Sequence, residues 1–569
     1  MGDLMQVSRD TVPHSSPNCF DLLLRQIKRM VPLNFWEEVK RLSLVAGPVF
    51  LSQLLVFLIN IVSTIFCGHL GKVELDAVSL ATTVINVSAI SVGYGIASTC
   101  DTLLSQTHGS RNLKRIGVIL QRGILVLMIF CFPCWALLVN TERILLAFKQ
   151  PPEVAKLANI YVKIFSPALP AIFIYQLEVK YLQNQGINMP QVATGLVANI
   201  INAVVNFILL YVLPLGIPGS AAANVISQYC QPILLFLYIR WRKLYVDTWD
   251  GWSMECLQEW GQFVGLAIPS MLMLCFDWWS YEIGTFLAGL INEVELGAQC
   301  VVYQILTAVY MIALGYSVAA SVHVGNALGA RQPEKAKNSA RVALCCIGFC
   351  ASVTSATLGA VGSMLGNVFT TDKEIISLVA VVLPLVATHQ FFDSMVCVCG
   401  GVLRGAGKQK LGAIVNLVGF YLIAFPVGIS LMFAGKFGIF GYWIGMMCCV
   451  VTQFAFLLVV IDRINWTEAS DQALVNAGVR KDVDSSHGAK TGSAQHISTE
   501  VCSGNIAVIE ISPEESAVEQ QQREETSCPK PSAGAVLQML TVKQLIVRRG
   551  LALLSGLLIL AIGLLLQMV

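Results

Sequence analysis

Two acidic and three aromatic residues interrupt an otherwise apolar stretch of this chain, FDWWSYE. The acids are Asp277 and Glu282, and the aromatic residues are Trp278, Trp279 and Tyr281. On a helix the two carboxyl groups would lie about 140° apart around the axis and ~7.5 Å apart along it, so they can share one cavity without forming a hydrogen-bonded pair. Trp and Tyr rings attract cations, most strongly where water is excluded. The pattern therefore predicts a site that binds an organic cation.

Other apolar segments carry further candidates for the same cavity: one acid, two tyrosines and three amides. They are Asp393, Tyr303, Tyr310, Gln304, Asn86 and Gln53. Packing is the alternative role for the tyrosines, and hydrogen bonding between helices is the commonest role of such amides. Asp277 can also be a structural carboxyl group, and Trp278 and Trp279 can belong to an interfacial belt. His389 lies four residues before Asp393 and can pair with it.

The composition places these residues in a membrane. The chain has 569 residues, of which 55% are hydrophobic and only 13% are charged, and its mean hydropathy is +0.68. A soluble protein of this length needs more charge to cover its surface. A helix that crosses the hydrocarbon takes about 20 apolar residues, and about thirteen such segments are present. Because membrane β-strands give weaker segments of ~10 residues with alternating polarity, we predict an all-α polytopic membrane protein.

Acids inside such segments are costly and therefore point to a function. A charge at the bilayer centre costs about 2.5–3.5 kcal/mol on insertion scales. No Lys or Arg lies centrally in the seventh or tenth segment to neutralise Asp277, Glu282 or Asp393. Since desolvation disfavours the charged form of a carboxyl group, we expect these groups to take up and release protons near neutral pH.

The distribution of Lys and Arg predicts the orientation. Basic residues are concentrated before the first segment and in the loops after the second, sixth, eighth and tenth segments. The alternate loops are poor in them, apart from Arg143, Lys149 and Lys156. Because basic loops remain in the cytoplasm, we expect a multi-pass plasma-membrane protein with a cytoplasmic N-terminus and, after thirteen crossings, an extracellular C-terminus. No N-terminal signal peptide is visible.

The sequence repeats itself about 220 residues apart. GKVELDAVSL (71–80) resembles NEVELGAQCV (292–301), and THGSRNLKR (107–115) resembles ALGARQPEK (327–335). One repeat holds six segments, an even number, so both halves start on the same side and form two parallel six-helix lobes. Such repeats place a substrate site between the lobes near the bilayer midplane, where rocking opens it to each side in turn. This symmetry is typical of transporters.

The repeat and the charge pattern divide the chain into five parts. We predict a cytoplasmic N-terminal segment (1–41), an N-lobe of helices 1–6 (42–243), a C-lobe of helices 7–12 (244–462), a disordered cytoplasmic tail (463–547) and a C-terminal transmembrane helix (548–569). The tail is rich in Ser, Gln, Glu, Gly and Pro without sustained periodicity. The last helix lies outside the repeat, and we expect it to add nothing to the transport path.

Four motifs, together with the repeat, resemble the multidrug and toxin extrusion (MATE) family, and its vertebrate branch in particular. They are CDTLLSQTHGS (100–110), ALPA (168–171), VHVGNALGA (322–330) and GGVLRGAGKQ (400–409). The resemblance runs from about residue 42 to residue 461 and extends to KQLIVRRG (543–550) before the last helix. It implies twelve core helices around a V-shaped cavity, and an activity that exports organic cations in exchange for protons.

The resemblance also implies carboxylates in helices 7, 8 and 10, and this chain departs from that pattern. Asp277 and Asp393 stand where the family has glutamates, and they reach ~1.5 Å less far, about one C–C bond. Gln304 stands at the third glutamate position and cannot titrate, whereas Glu282 matches outright. The positions that match polar or aromatic cavity residues of the family are Asn86, Tyr281 and Tyr303.

These observations predict a proton-coupled exporter that works by alternating access. There are two alternatives: a Na⁺-coupled or weakly coupled exporter of the same fold, and a flippase for lipid-linked substrates. A flippase would need a basic cavity to bind phosphate. We expect small organic cations and membrane lipid as partners, no nucleic acid, no cofactor besides the coupling proton, and function as a monomer. The sequence contains no nucleophile–base pair and no metal-ligand spacing that would indicate an enzyme. We expect Cys131 and Cys134 to be small, buried hydrophobic residues.

Overall fold

The structure is a computed structural model that describes residues 35–370, 372–479 and 541–568, and within these ranges all regular secondary structure is helical. Thirteen of the helices are long and apolar enough to cross a membrane. The longer helices are α1 Phe35–Gly68, α2 Val73–Gly109, α3 Leu113–Val139, α4 Pro152–Asn184, α5 Met189–Val212, α6 Ile217–Trp241, α7 Trp260–Gly289, α8 Glu293–Gly329, α9 Pro333–Phe369, α10 Lys373–Gly405, α11 Gln409–Ala434, α12 Gly438–Arg463, α13 Trp466–Asn476 and α14 Val542–Met568. The thirteen candidate spans are α1–α12 and α14.

Two bundles of six helices form the core, an N-lobe (α1–α6) and a C-lobe (α7–α12), so the predicted fold class is confirmed. The N-lobe has one large apolar core, and the C-lobe has two. Helix α1 crosses from one lobe to the other. Its first half, Leu42–Val49, is buried with C-lobe residues, whereas Leu55 packs on Gly195 of α5. The N-lobe boundary predicted at residue 42 therefore runs through a helix that both lobes share.

The lobes meet closely at one end of the molecule, which we call the closed end. A Cβ atom at Gly109 would collide with the carbonyl oxygen of Asn326, and one at Gly329 would collide with that of Gln106. Gly109 and Gly329 occupy equivalent positions in the two repeats, so the contact is reciprocal. The basic loops after α2 and α8 lie at this end. Glycine is needed here because two helix backbones touch.

Three element boundaries differ from those expected. The apolar stretch of the fourth segment predicts a helix that ends near Leu177, but helix α4 continues to Asn184 because its last two turns are buried by neighbouring helices. Helix α13 lies within the range predicted as disordered and packs on the C-lobe. Helix α14 begins at Val542 instead of residue 548. The rest of the predicted tail, 480–540, and most of the predicted N-terminal segment lie outside the described residues.

Candidate functional site

A cavity of about 980 Å³ lies between the lobes and is lined by residues of both. It extends from the exposed residues Gly68 and Phe369, at the end opposite the closed end, down to Asp101, Lys180 and Arg404. Ten of the residues singled out from the sequence line it. They are Asp277, Glu282, Asp393, Trp278, Tyr281, Tyr303, Tyr310, Gln304, Asn86 and Gln53. The fold thus brings together side chains that the sequence distributes over five helices.

The two aspartates both lie near Tyr281. Asp277 is on the same helix, one turn earlier, and Asp393 reaches the site from α10. The Tyr281 hydroxyl group is close to the Asp393 carboxyl group but does not form a well-aligned hydrogen bond with it. The Tyr281 ring stacks on Tyr303 of α8 with a centroid separation of 5.9 Å and an interplanar angle of 23°. This arrangement places two aromatic rings beside two acids, and aromatic faces attract cations.

Helix α7 also positions aromatic side chains against the N-lobe. Trp278 packs edge-on against Tyr94 of α2 at 5.9 Å between ring centroids. The Trp279 indole nitrogen donates to the carbonyl oxygen of Val87 at 3.0 Å. Val87 lies in a π-helical turn of α2 that begins at Asn86, and such turns are frequent at functional sites. Mid-span contacts of this kind exclude the interfacial-belt alternative for both tryptophans.

Glu282 lies nearer to the open end than Asp277 does, and it faces Thr83 of α2 across the cavity. Thr83 belongs to the N-lobe and Glu282 to the C-lobe, so Glu282 lies at the interface between the two lobes. Both acids of α7 are partly exposed to the cavity, whereas Asp393 is almost fully buried. The three carboxyl groups therefore share one cavity at different depths.

Arg404 corrects the expectation that no basic group lies near these acids. It sits three turns beyond Asp393 on α10 and lines the cavity floor, where its charge attracts the Asp277 carboxylate. The two side chains do not form a direct ion pair; instead the Arg404 guanidinium donates to the Ser317 hydroxyl at 2.7 Å. The central positions of the span give no sign of this arginine, because Arg404 lies near the helix end and its long side chain reaches inward from there.

The apolar segments of the sequence also give no sign of a second basic group in the cavity, Lys180. Lys180 of α4 donates to the Asp101 carboxylate of α2 at 2.9 Å, and both side chains are almost fully buried at the cavity floor. Asp101 lies in one of the motifs quoted above, but Lys180 lies beyond the apolar stretch of the fourth segment, which ends near Leu177. Only the continuation of α4 to Asn184 brings this lysine inside.

His389 does not pair with Asp393, although the two residues are one turn apart. The ring is fully buried, neither nitrogen has a hydrogen-bond partner, and it packs edge-on against Trp443 at 5.2 Å between centroids. Its environment is that of a core aromatic residue. Among the described residues, no group of three or more His, Cys, Asp and Glu side chains could hold a metal ion.

The site and the fold define a class: a membrane transporter with a central, acid-lined cavity between two repeated lobes. The MatE family model matches residues 48–208 and again residues 269–429, one match in each lobe. The chain belongs to the MATE family of multidrug and toxin extrusion transporters, as its motifs predicted. It is a transporter and not an enzyme.

Relatives and solved structures support this assignment over most of the chain. The chain is 52% identical over 547 residues to multidrug and toxin extrusion protein 1 of Danio rerio, covering 95% of this chain and 92% of the relative. It is 51% identical over 538 residues to the protein of that name from Homo sapiens, with 94% of each covered. The eukaryotic MATE transporter AtDTX14 superposes with a TM-score of 0.76 at 28% identity, covering 78% of this chain and 99% of that one.

A more distant structure shares the fold alone. It is described as the outward-facing conformation of a multidrug resistance MATE family transporter. It gives a TM-score of 0.64 at 17% identity and covers 75% of this chain and 96% of its own.

Proposed function

We propose that this protein exports organic cations in exchange for protons by alternating access at the plasma membrane. One observation carries the proposal: Asp277, Glu282 and Asp393 line a single cavity between the lobes together with the aromatic rings of α7 and α8. A carboxylate attracts a cation, an aromatic face adds to that attraction, and protonation of the carboxylate removes it. Cation and proton therefore compete for the same groups.

The orientation of the basic loops gives the cavity a direction. The loops rich in Lys and Arg lie at the closed end, and basic loops face the cytoplasm. With that orientation the N-terminus is cytoplasmic, the C-terminus is extracellular, and the cavity opens outward. This is the state in which an exporter releases its cation and accepts a proton.

An exchange of one proton for one monovalent cation would use the proton gradient and not the membrane potential. In the inward-open state the cation binds at Glu282 and Asp277 beside Trp278, and the lobes then rock outward. A proton neutralises the carboxylate, the cation leaves, and the protonated form returns inward. If one proton exchanges for one monovalent cation, no net charge moves, so the membrane potential of ~2.3 kcal/mol per charge per 100 mV has no effect. The driving force is then ~1.4 kcal/mol per pH unit.

The charge of the cavity argues against the flippase alternative. Four acids and two strongly basic side chains line it. One of the basic groups, Lys180, is already paired with Asp101, while Arg404 lies against Asp277. A substrate headgroup with phosphate would meet an excess of negative charge. Because one chain encloses the whole cavity, we also propose that the monomer is the transporting unit and that no cofactor takes part.

The proposal is tested on Glu282. We expect Glu282→Gln to abolish pH-driven flux of tetraethylammonium, because the amide keeps the shape of the side chain and cannot exchange a proton for a cation. The measurement is uptake into cells after an outward-directed proton gradient is imposed, normalised to protein at the surface. Glu293→Gln, an exposed acid at the start of α8, is the matched control and should transport normally. Normal flux in Glu282→Gln would refute the assignment.

The coupling ion is identified separately. Flux through the unmodified protein is measured with a fixed pH gradient while Na⁺ is replaced by K⁺, and then with a fixed Na⁺ gradient at equal pH on both sides. We expect flux to follow the pH gradient alone. Flux that follows the Na⁺ gradient would replace the proton by Na⁺ in the same cavity.

A further inference from the structure

Helix α13 lies at the closed end and contacts both lobes, although it comes after the twelfth core helix. Its apolar face is fixed to the C-lobe: Trp466, Ala469 and Ala473 are buried with residues of α8 and α9. The Ser470 hydroxyl donates to the carbonyl oxygen of Leu328, at the end of α8, at 2.9 Å. The amino-terminal part of α13 is therefore bound to one lobe by apolar burial.

The carboxyl end of α13 reaches the other lobe through polar contacts. The Asn476 amide donates to Gln106 of α2 at 2.8 Å, and both side chains are almost fully buried. The Asn112 amide, just before α3, donates to the carbonyl oxygen of Ala477 at 2.9 Å. Beside it, the Arg115 guanidinium lies against Gly478, where a Cβ atom would come within 2.5 Å. A cation at this helix end is favourable because the last carbonyl groups carry partial negative charge.

The same Gln106 closes the contact between the lobes. Its amide nitrogen donates to the carbonyl oxygen of Gly405 at 3.0 Å, at the end of α10, while its amide oxygen accepts from Asn476. One turn earlier, the Thr102 hydroxyl donates to the carbonyl oxygen of Arg404 at 2.6 Å. Gln106 is thus held between the transporting core and α13. Opening of the closed end must break these bonds.

We propose that α13 is part of the gate at the closed end. It stays on the C-lobe through its apolar face and releases the N-lobe through Asn476 and Ala477 each time this end opens, so it stabilises the state in which the cavity is shut there. The division of contacts supports this role: α13 reaches the N-lobe through the hydrogen bonds of Asn476 and Ala477, and bonds of this kind contribute only about 0.5–1.5 kcal/mol each. The inference rests on the proposed alternating-access cycle.

The first test is hydrogen–deuterium exchange of the purified full-length protein in lipid nanodiscs. Asn476→Ala removes the hydrogen bond to Gln106 and also the one that Asn476 accepts from Gln262 at the start of α7. We expect it to speed the exchange of residues 102–109 by up to about tenfold, because the bond to Gln106 crosses to the N-lobe and a bond of this kind is worth up to about that factor. Ser470→Ala is the control. It removes a bond that α13 makes within the C-lobe and should leave exchange at residues 102–109 unchanged. Equal exchange in Asn476→Ala and the unmodified protein, or equal acceleration by both variants, would overturn the proposal.

A second variant tests the gate by closing it. In Gln106→His/Asn476→His the two imidazoles replace the hydrogen-bonded amides, and Zn²⁺ can join them. We expect Zn²⁺ to slow exchange at residues 102–109 and to stop flux, with recovery after a chelator, while each single histidine variant is insensitive. Flux unaffected by Zn²⁺ in a folded double variant would contradict the proposal. Because exchange needs neither substrate nor a proton gradient, its outcome is independent of the Glu282 test.

Discussion

At the level of single residues, the proposed exchange depends on the charge balance around Tyr281. Asp277 and Asp393 both lie near this ring, and Arg404 attracts Asp277 from the cavity floor without binding it directly. An arginine held by Ser317 can offset part of the negative charge while it leaves the carboxylate free for a cation. Asp277 and Asp393 are each one methylene shorter than a glutamate, whereas Gln304 keeps the size of a glutamate and removes its negative charge.

The ion pair between Lys180 and Asp101 is predicted to be structural. In Lys180→Met the Asp101 carboxylate loses its partner while it remains buried, and the loss of one member of a buried pair typically costs about 3–5 kcal/mol. We expect a lower unfolding temperature in detergent, measured by thermal shift. Lys180→Met/Asp101→Asn should recover most of the loss, because no unpaired charge remains. A single variant as stable as the unmodified protein would show that the pair contributes nothing to stability.

At the scale of helices, the closed end is built from equivalent parts of the two repeats. Gly109 of α2 and Gly329 of α8 each touch the backbone of the other helix. The residues two positions later, Arg111 and Arg331, both have positive φ, at 61° and 58°. The repeated motif therefore ends two helices in the same way and lets them pack against each other about a pseudo-two-fold axis.

Gly329→Ala is predicted to weaken this helix contact. The added methyl group collides with the carbonyl oxygen of Gln106, and overpacking against backbone costs about 1–3 kcal/mol. We expect faster hydrogen–deuterium exchange at residues 324–329 and a shift away from the state closed at this end. Gly359→Ala on α9, where a Cβ atom meets nothing within 4 Å, is the matched control. If both variants exchange alike, the glycine contact does not hold the lobes together.

At the scale of the whole molecule, α14 is an addition to the outside of the N-lobe. It packs on α3, where Gly556 contacts Phe132 and Gly563 contacts Ala136. The Arg549 guanidinium donates to the carbonyl oxygen of Leu257 at 2.9 Å, just before α7. None of the cavity-lining residues in the described part of the chain comes from this helix.

Removal of α14, by ending the chain after residue 540, is predicted to leave transport largely intact. We expect tetraethylammonium flux per molecule at the surface to stay within about twofold of that of the full chain, since the cavity and both lobes remain. The unfolding temperature should fall, because the surface of α3 that α14 covers loses its packing partner. Loss of flux in a folded, surface-expressed protein would instead give α14 a part in the cycle.

Much of the fold and of the site could be predicted from the sequence because the signals are local. Apolar length specifies a membrane helix wherever the helix packs, and the cost of a buried acid makes Asp277, Glu282 and Asp393 conspicuous in any fold. The spacing of the repeat required two parallel lobes and a site between them. Helix α13 was not predicted, because its 11 residues carry little periodic signal and fold against a surface made by α8 and α9.

The sequence by itself determined that this chain spans a membrane with two like halves and carries acids at its centre, since burial cost and hydrophobic length are properties of each segment alone. The tertiary structure decided which partners those acids have and which end of the cavity is shut. Lys180 and Asp101 are 79 residues apart and Asn476 and Gln106 are 370 apart. Contacts between residues so far apart in the chain depend on how whole helices pack, so a local sequence pattern cannot predict them.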